Sequence, residues 1–182
     1  LNNLQSESFA GYGDDSQCDK AAAIIRRLTG CESADVRFFP GATQANFIVI
    51  AAALSRVQSV ISADTGHINC HEAASIENTG HKVLALPNSD GKLTAARVAE
   101  CAEEYRSSGG AEYLTEPKLV YISVPTEQGT LYSLSELEAI SAVCKEYGMY
   151  LFVDGARMSY GLASEVNDVT LPDLARLADV FY

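Results

Sequence analysis

The sequence predicts an α/β protein, a three-layer αβα arrangement around a mostly parallel sheet. Two observations lead there. Short apolar runs alternate with segments of helical period, which is the pattern of βα units. The runs are apolar throughout and do not alternate with polar residues, so helices are expected on both faces of the sheet.

The elements follow in order. Ser16-x-x-Asp19 opens a helix with Ala21, Ile24, Ile25 and Leu28 at helical spacing, closed by Gly30. Val36 to Phe39 is a short apolar strand, broken by Pro40-Gly41-Ala42, and Thr43 to Leu54 is a buried helix. Ser59 to Ala63 is a strand, and His67 to Thr79 is a helix ended by Gly80. Lys82 to Leu86 is a strand, and Asn88-Ser89-Asp90-Gly91 is a turn. Thr94 to Tyr105 is helical, and Ser107-Ser108-Gly109-Gly110 is a surface loop. Leu119 to Val124 is a strand. The capping box Ser133-x-x-Glu136 starts a helix with Leu134, Leu137, Ile140, Val143, Cys144 and Tyr147 near one face. Met149 to Val153 is a strand running into Asp154, Leu171 to Ala178 is a short helix, and Asp179 to Tyr182 begins another strand. A strand start with no crossover helix behind it is expected in a piece of a longer protein.

The 182 residues are 47% hydrophobic and 20% charged, as in an ordinary globular domain with a sizeable core. A net charge of -11 argues against nucleic acid and against acidic membrane surfaces, since both need basic patches. No apolar run approaches the roughly 20 residues of a membrane span. Leu1 to Ser6 carry no signal-peptide pattern. The five cysteines, Cys18, Cys31, Cys70, Cys101 and Cys144, are widely spaced and odd in number. They read as reduced thiols of a cytoplasmic protein, with no zinc site expected.

Four polar constellations follow expected strands, so a parallel sheet would bring them to its carboxyl edge, where open α/β sheets bind ligands. Pro40-Gly41-Ala42-Thr43-Gln44-Ala45-Asn46 sits between a strand and a helix, where free N–H groups and the helix dipole favour a phosphate. An ordinary turn capped by Thr43 is the plainer reading. His67 and His71 stand at i and i+4, followed by Glu72. That spacing suits zinc, but no third ligand follows. His67 could instead be a satisfied loop histidine or stack on an aromatic ring. Ser123 to Thr130 supplies the polar side chains of Thr126 and Glu127. Asp154 and Arg157 could be a structural ion pair, or could flank a ligand cationic on one side and anionic on another. The protonated ring nitrogen of pyridoxal phosphate is such a partner for a buried carboxylate. Together the four match that cofactor part for part.

These residues resemble the threonine aldolase and aromatic β-eliminating lyase family of fold-type I pyridoxal-phosphate enzymes, in its low-specificity threonine aldolase-like branch. Tyr12-Gly13-Asp14-Asp15 is similar to the family's Tyr-Gly-Glu/Asp-Asp segment, and Gly41-Ala42-Thr43 to its Ser-Gly-Thr phosphate loop. His67-Ile68 with Glu72 resembles its His-Ile-x-x-x-Glu segment, and Asp154-Gly155-Ala156-Arg157 its Asp-Gly-Ala-Arg motif. Gly41-Ala42 stands where the family has Ser-Gly, and Glu127 where many aldolases have a histidine.

The resemblance implies the fold-type I large domain over residues 16–182, preceded by an N-terminal segment at 1–15 from the small-domain region. It implies pyridoxal 5'-phosphate held by Gly41, Ala42, Thr43, His67, Thr126, Asp154 and Arg157. His67 would stack on the ring, Asp154 would pair with the ring nitrogen, and Arg157 would meet the phenolic oxygen or the substrate carboxylate. Catalytic roles fall to His67, Asp154 and Arg157, while Tyr12 and Glu127 would lie at the substrate or subunit interface. The implied assembly is a homodimer or homotetramer.

The family's cofactor-bearing lysine would fall after Tyr182. None of the lysines 20, 82, 92, 118 and 145 stands in its place. The expected activity of the complete protein is aldol cleavage of a β-hydroxy amino acid, such as L-threonine to glycine and acetaldehyde. This chain alone is expected to be inactive, with a separate C-terminal fragment as a conceivable partner. β-Elimination on the same scaffold and a non-catalytic phosphate-binding α/β domain are the alternatives.

Overall fold

The computed structural model describes residues 8–182. Seven α-helices and five strands are described, and the strands form one sheet of order β2-β1-β3-β4-β5, every neighbouring pair parallel. The strands are β1 (Gln58–Ala63), β2 (Lys82–Leu86), β3 (Glu116–Ser123), β4 (Tyr150–Asp154) and β5 (Val180–Phe181). The helices are α1 (Ser16–Thr29), α2 (Ala42–Ala53), α3 (His67–Cys70), α4 (Ala95–Ser107), α5 (Leu134–Tyr147), α6 (Met158–Leu162) and α7 (Leu171–Leu177). The expected αβα architecture is present. The start of the expected N-terminal segment lies outside the described residues.

Strand alternation sorts the core onto two faces. Ile61, Val120, Ile122, Leu151 and Val153 face one way and pack with Val98 and Ala102 of α4, Leu137 and Ile140 of α5, and Leu174 of α7. Val60, Leu119, Tyr121 and Phe152 face the other way and pack with Ile50 of α2 and with Ile68 and Ile76. Every second residue of β3 and β4 is therefore committed to the α2 face. That parity also brings Tyr121 and Asp154 to that side.

The helix ends follow local chemistry. Ser133 accepts from the Glu136 N–H while the Glu136 side chain accepts from the Ser133 N–H, the expected capping box. α1 is capped one residue earlier than expected, by Asp15, whose Oδ1 accepts from the N–H groups of Gln17 and Cys18 at 2.8 and 3.0 Å. α2 begins at Gly41 with no side-chain cap, so Thr43 lies inside the first turn.

Two expected elements differ. Val36 to Phe39 forms no strand among the described residues, and Phe38 and Phe39 are exposed. Apolar content alone does not make a strand; the backbone needs a ladder partner, and the described sheet offers none there. The helix expected over His67 to Thr79 stops after one turn. Ala73 and Ala74 adopt left-handed φ values of 50° and 59°, and only a short 3-10 turn at Glu77–Thr79 follows. α6 was not anticipated, because its five residues show no helical period.

Candidate active site

Asp154 ends β4 and is 3% exposed. Its Oδ2 accepts a hydrogen bond from the Tyr121 hydroxyl, and its Oδ1 accepts from the Ala156 N–H at 2.9 Å. Burial, and then the Asp154 charge, push the Tyr121 hydroxyl far above its ordinary value, so it stays a donor at any working pH. Among the described residues no Lys, Arg or His pairs with Asp154. A buried carboxylate with lone pairs left over calls for a cationic or N–H partner.

Tyr182 lies beside it, edge-on to Phe152 with ring centroids 6.0 Å apart. Among the described residues its buried hydroxyl meets no hydrogen-bond partner, and neither does the Asn46 side-chain carbonyl. Burial, and then Asp154, push the Tyr182 hydroxyl upward as well.

His67 opens α3, just past the end of β1. Its Nδ1 lies 2.8 Å from Glu72 Oε1, and that oxygen also accepts from Asn46 Nδ2 at 2.6 Å. Ser75 donates to Glu72 Oε2 at 2.9 Å. A continuous helix would have turned Glu72, five residues beyond His67, roughly 140° away around the axis. The non-helical kink is what returns its carboxylate to His67. The His67 and His71 rings stand 5.5 Å apart, tilted by 50°, and no group of three metal-ligating side chains is found among the described residues.

Arg157 does not pair with Asp154. Its Nη2 donates to Glu127 Oε1 at 2.9 Å and to the Pro125 carbonyl at 3.2 Å. Ser123 donates to the same Glu127 oxygen at 2.6 Å. Gly41, Ala42 and Thr43 form the N-terminus of α2, whose first-turn N–H groups have no intrahelical acceptor. Thr126 is buried, and its hydroxyl is engaged with the Thr130 hydroxyl at 2.7 Å inside its own loop. Tyr12 is fully exposed on a left-handed residue.

Hydrogen bonding thus gathers Asp154 with Tyr121, Arg157 with Glu127, and His67 with Glu72. Asn46 and Ser123 fell within the expected segments without a role of their own, and Tyr121 and Tyr182 had not been singled out for the site. A fully buried Asn in an otherwise apolar helix was the readable signal for Asn46. The strand register that brings Tyr121 to Asp154 is not written in either strand alone.

The lysines serve elsewhere. Lys92 donates to Glu136 at 2.8 Å and to the Leu131 carbonyl at 3.3 Å. Lys82 opens β2, Lys118 lies near the start of β3, and Lys20 and Lys145 are helical. No helix among the described residues is long and apolar enough to cross a membrane.

Comparison with known proteins matches residues 6–182 to the family model described as beta-eliminating lyase. The chain is 36% identical over 156 residues to the low specificity L-threonine aldolase of Pseudomonas aeruginosa, covering 84% of this chain and 43% of that protein. It is 29% identical over 152 residues to the protein of the same description from Saccharomyces cerevisiae, covering 82% of this chain and 38% of that one. The solved structure of Leishmania major threonine aldolase superposes with a TM-score of 0.95 at 50% identity, over 100% of this chain and 52% of that chain. The chain therefore spans about half the length, or less, of these relatives. That family is pyridoxal-phosphate-dependent, and with this fold and these matches the chain belongs to the beta-eliminating lyase family.

Proposed function

We propose that the complete protein is a pyridoxal-phosphate-dependent carbon–carbon lyase that cleaves a β-hydroxy amino acid, L-threonine to glycine and acetaldehyde. The observation that carries the reading is Asp154, a buried carboxylate without a cationic side-chain partner at the carboxyl end of a central strand. The donor set suits the cofactor. The first turn of α2 at Gly41, Ala42 and Thr43 offers N–H groups to its phosphate, Asp154 offers an acceptor to its ring nitrogen, and His67 offers a flat face. The Thr126 hydroxyl, tied to Thr130, supports the loop and leaves the contact to its neighbours.

When bound, the cofactor takes up the electron pair of the bond being broken. This chain's residues hold the geometry. Asp154 keeps a proton at the ring nitrogen, which strengthens that electron uptake. His67, donating through Nδ1 to Glu72, keeps Nε2 as a proton acceptor near the substrate hydroxyl. Arg157 binds the phenolic oxygen or the substrate carboxylate, and Glu127 fixes the guanidinium in place. The lysine that carries the cofactor comes from outside these 182 residues, so the chain alone is inactive. We assign the complete protein to a homodimer or homotetramer, for which the exposed Phe9, Tyr12, Ile24 and Leu28 supply apolar surface. Tyr12 then reaches a neighbouring site.

The test is an assay of the full-length protein for glycine and acetaldehyde from L-threonine. Pyruvate and ammonia from L-serine or an aromatic amino acid would instead show β-elimination, the reading favoured by the family's description. No turnover of either kind would refute both.

A further inference from the structure

Asn46 is fully buried in α2, a helix otherwise built largely from Ala, Ile, Val and Phe. A buried amide there must find partners. Its Nδ2 donates to Glu72 Oε1 at 2.6 Å. The amide therefore faces Glu72 with its Nδ2. Its Oδ1 points away from Glu72 and, among the described residues, meets no donor.

We propose that Asn46 is a positioning residue that, through Glu72, fixes His67 as the Nδ1–H tautomer. The proposal rests on the reading that His67 faces the ligand.

The Glu72 side chain is 0% exposed. Its oxygens meet Asn46 Nδ2, His67 Nδ1 and the Ser75 hydroxyl. As an acceptor, it requires the hydrogen of a neutral His67 ring to sit on Nδ1, leaving Nε2 free. Removing the Asn46 donor takes away a charge-assisted bond. The carboxylate then turns toward Ser75, which releases the imidazole. Asn46 thus does its work without touching a ligand.

The experiment uses the full-length protein labelled with 15N-histidine. Its His67, His71 and His81 are assigned by single substitutions, and ring 15N shifts report the tautomer. His81 is an internal control, because its Nδ1 meets the Gln58 carbonyl at 3.1 Å on its own. The wild type is expected to show His67 as the Nδ1–H form. Asn46→Leu keeps the size but removes the donor, and should move the His67 tautomer ratio toward Nε2–H by about tenfold or more, leaving His81 unchanged. A purely structural Asn46 would lower stability and leave the His67 tautomer as it was, which overturns the proposal. So would a wild-type His67 in the Nε2–H form, a result that needs no variant to fold.

The measurement reads the protein's own groups, independently of turnover. Turnover with the wrong tautomer sinks this inference alone, and the right tautomer without cofactor binding sinks the functional reading alone.

Discussion

The Tyr121 hydroxyl donates to Asp154 Oδ2 across neighbouring parallel strands, although the register sets Tyr121 opposite Phe152 and Asp154 opposite Ser123. The tyrosine reaches diagonally along the α2 face to meet the next inward residue of β4. Asp154 is thereby held from two directions, by Tyr121 on Oδ2 and by the Ala156 N–H on Oδ1. An orientation set by rigid strand and turn atoms is what a carboxylate needs to meet a ring nitrogen in one geometry.

Tyr121→Phe should therefore weaken both stability and ligand binding. The variant leaves a buried carboxylate one donor short, which costs about 1–3 kcal/mol. Urea unfolding of the cofactor-free protein reads the first effect, and equilibrium dialysis of pyridoxal phosphate against the full-length protein reads the second. Unchanged midpoint and unchanged affinity together would show that the Tyr121 contact contributes nothing.

The kink after α3 carries backbone strain. Ala73 and Ala74 both have positive φ, where a Cβ is disfavoured. Both are exposed, so no packing is lost on truncation. Ala73→Gly and Ala74→Gly should each stabilise the fold by up to about 1 kcal/mol, because relief of the left-handed strain exceeds the added freedom of the unfolded chain. A fall in the urea midpoint of both variants would contradict the left-handed geometry.

Legibility from sequence divides along physical lines. Strands β2, β3 and β4 were readable from their apolar runs, Val83 to Leu86, Leu119 to Ile122 and Leu151 to Val153, and β1 from Val60-Ile61 between Ser59 and Ser62. Asp154 and Arg157 were readable as residues at a strand mouth. Their partners were not: Arg157 turns to Glu127, thirty positions earlier, and Asp154 turns to Tyr121. Such pairings depend on register and loop path, which no local pattern encodes. Val36 to Phe39 misled because apolar content is necessary for a buried strand but a partner strand is also required. The His67 segment misled for a different reason. Its helical pattern is locally sound, yet the carboxylate of Glu72 gains three donors only if the helix breaks.

The capping box of α5 gives a pH-dependent prediction. Burial tends to raise the Glu136 carboxyl, but the hydrogen bonds from Lys92 and the Ser133 N–H win and hold it below its ordinary value of 4.5. A group depressed in the folded state adds stability above its unfolded pKa and loses it as pH falls through the folded one. Glu136→Gln should therefore destabilise the protein at pH 7 and progressively less on acidification below about 4.5. A stability difference that stays constant from pH 7 to pH 3 would show that the charge has no part in the cap.

The thiols should separate by environment. Cys144 is buried in α5 against the sheet, and burial, followed by the charge of Asp179, pushes its thiol up to about 12. Only the thiolate reacts with alkylating agents, so at pH 8 roughly one Cys144 in ten thousand is in the reactive form. Cys70, by contrast, is exposed, with its thiol donating to the Asp64 carbonyl at 3.0 Å. Iodoacetamide at pH 8 followed by mass spectrometry should modify Cys70 first in the native protein. Cys144 should react only after denaturant is added. Its position between α5 and the β3–β4 pair makes it a reporter of that layer, because the thiol meets reagent only when the helix lifts from the sheet. Alkylation of Cys144 at a rate close to that of Cys70 under native conditions would mean that this layer opens readily, contrary to the close packing of Ile140 and Leu151 around it.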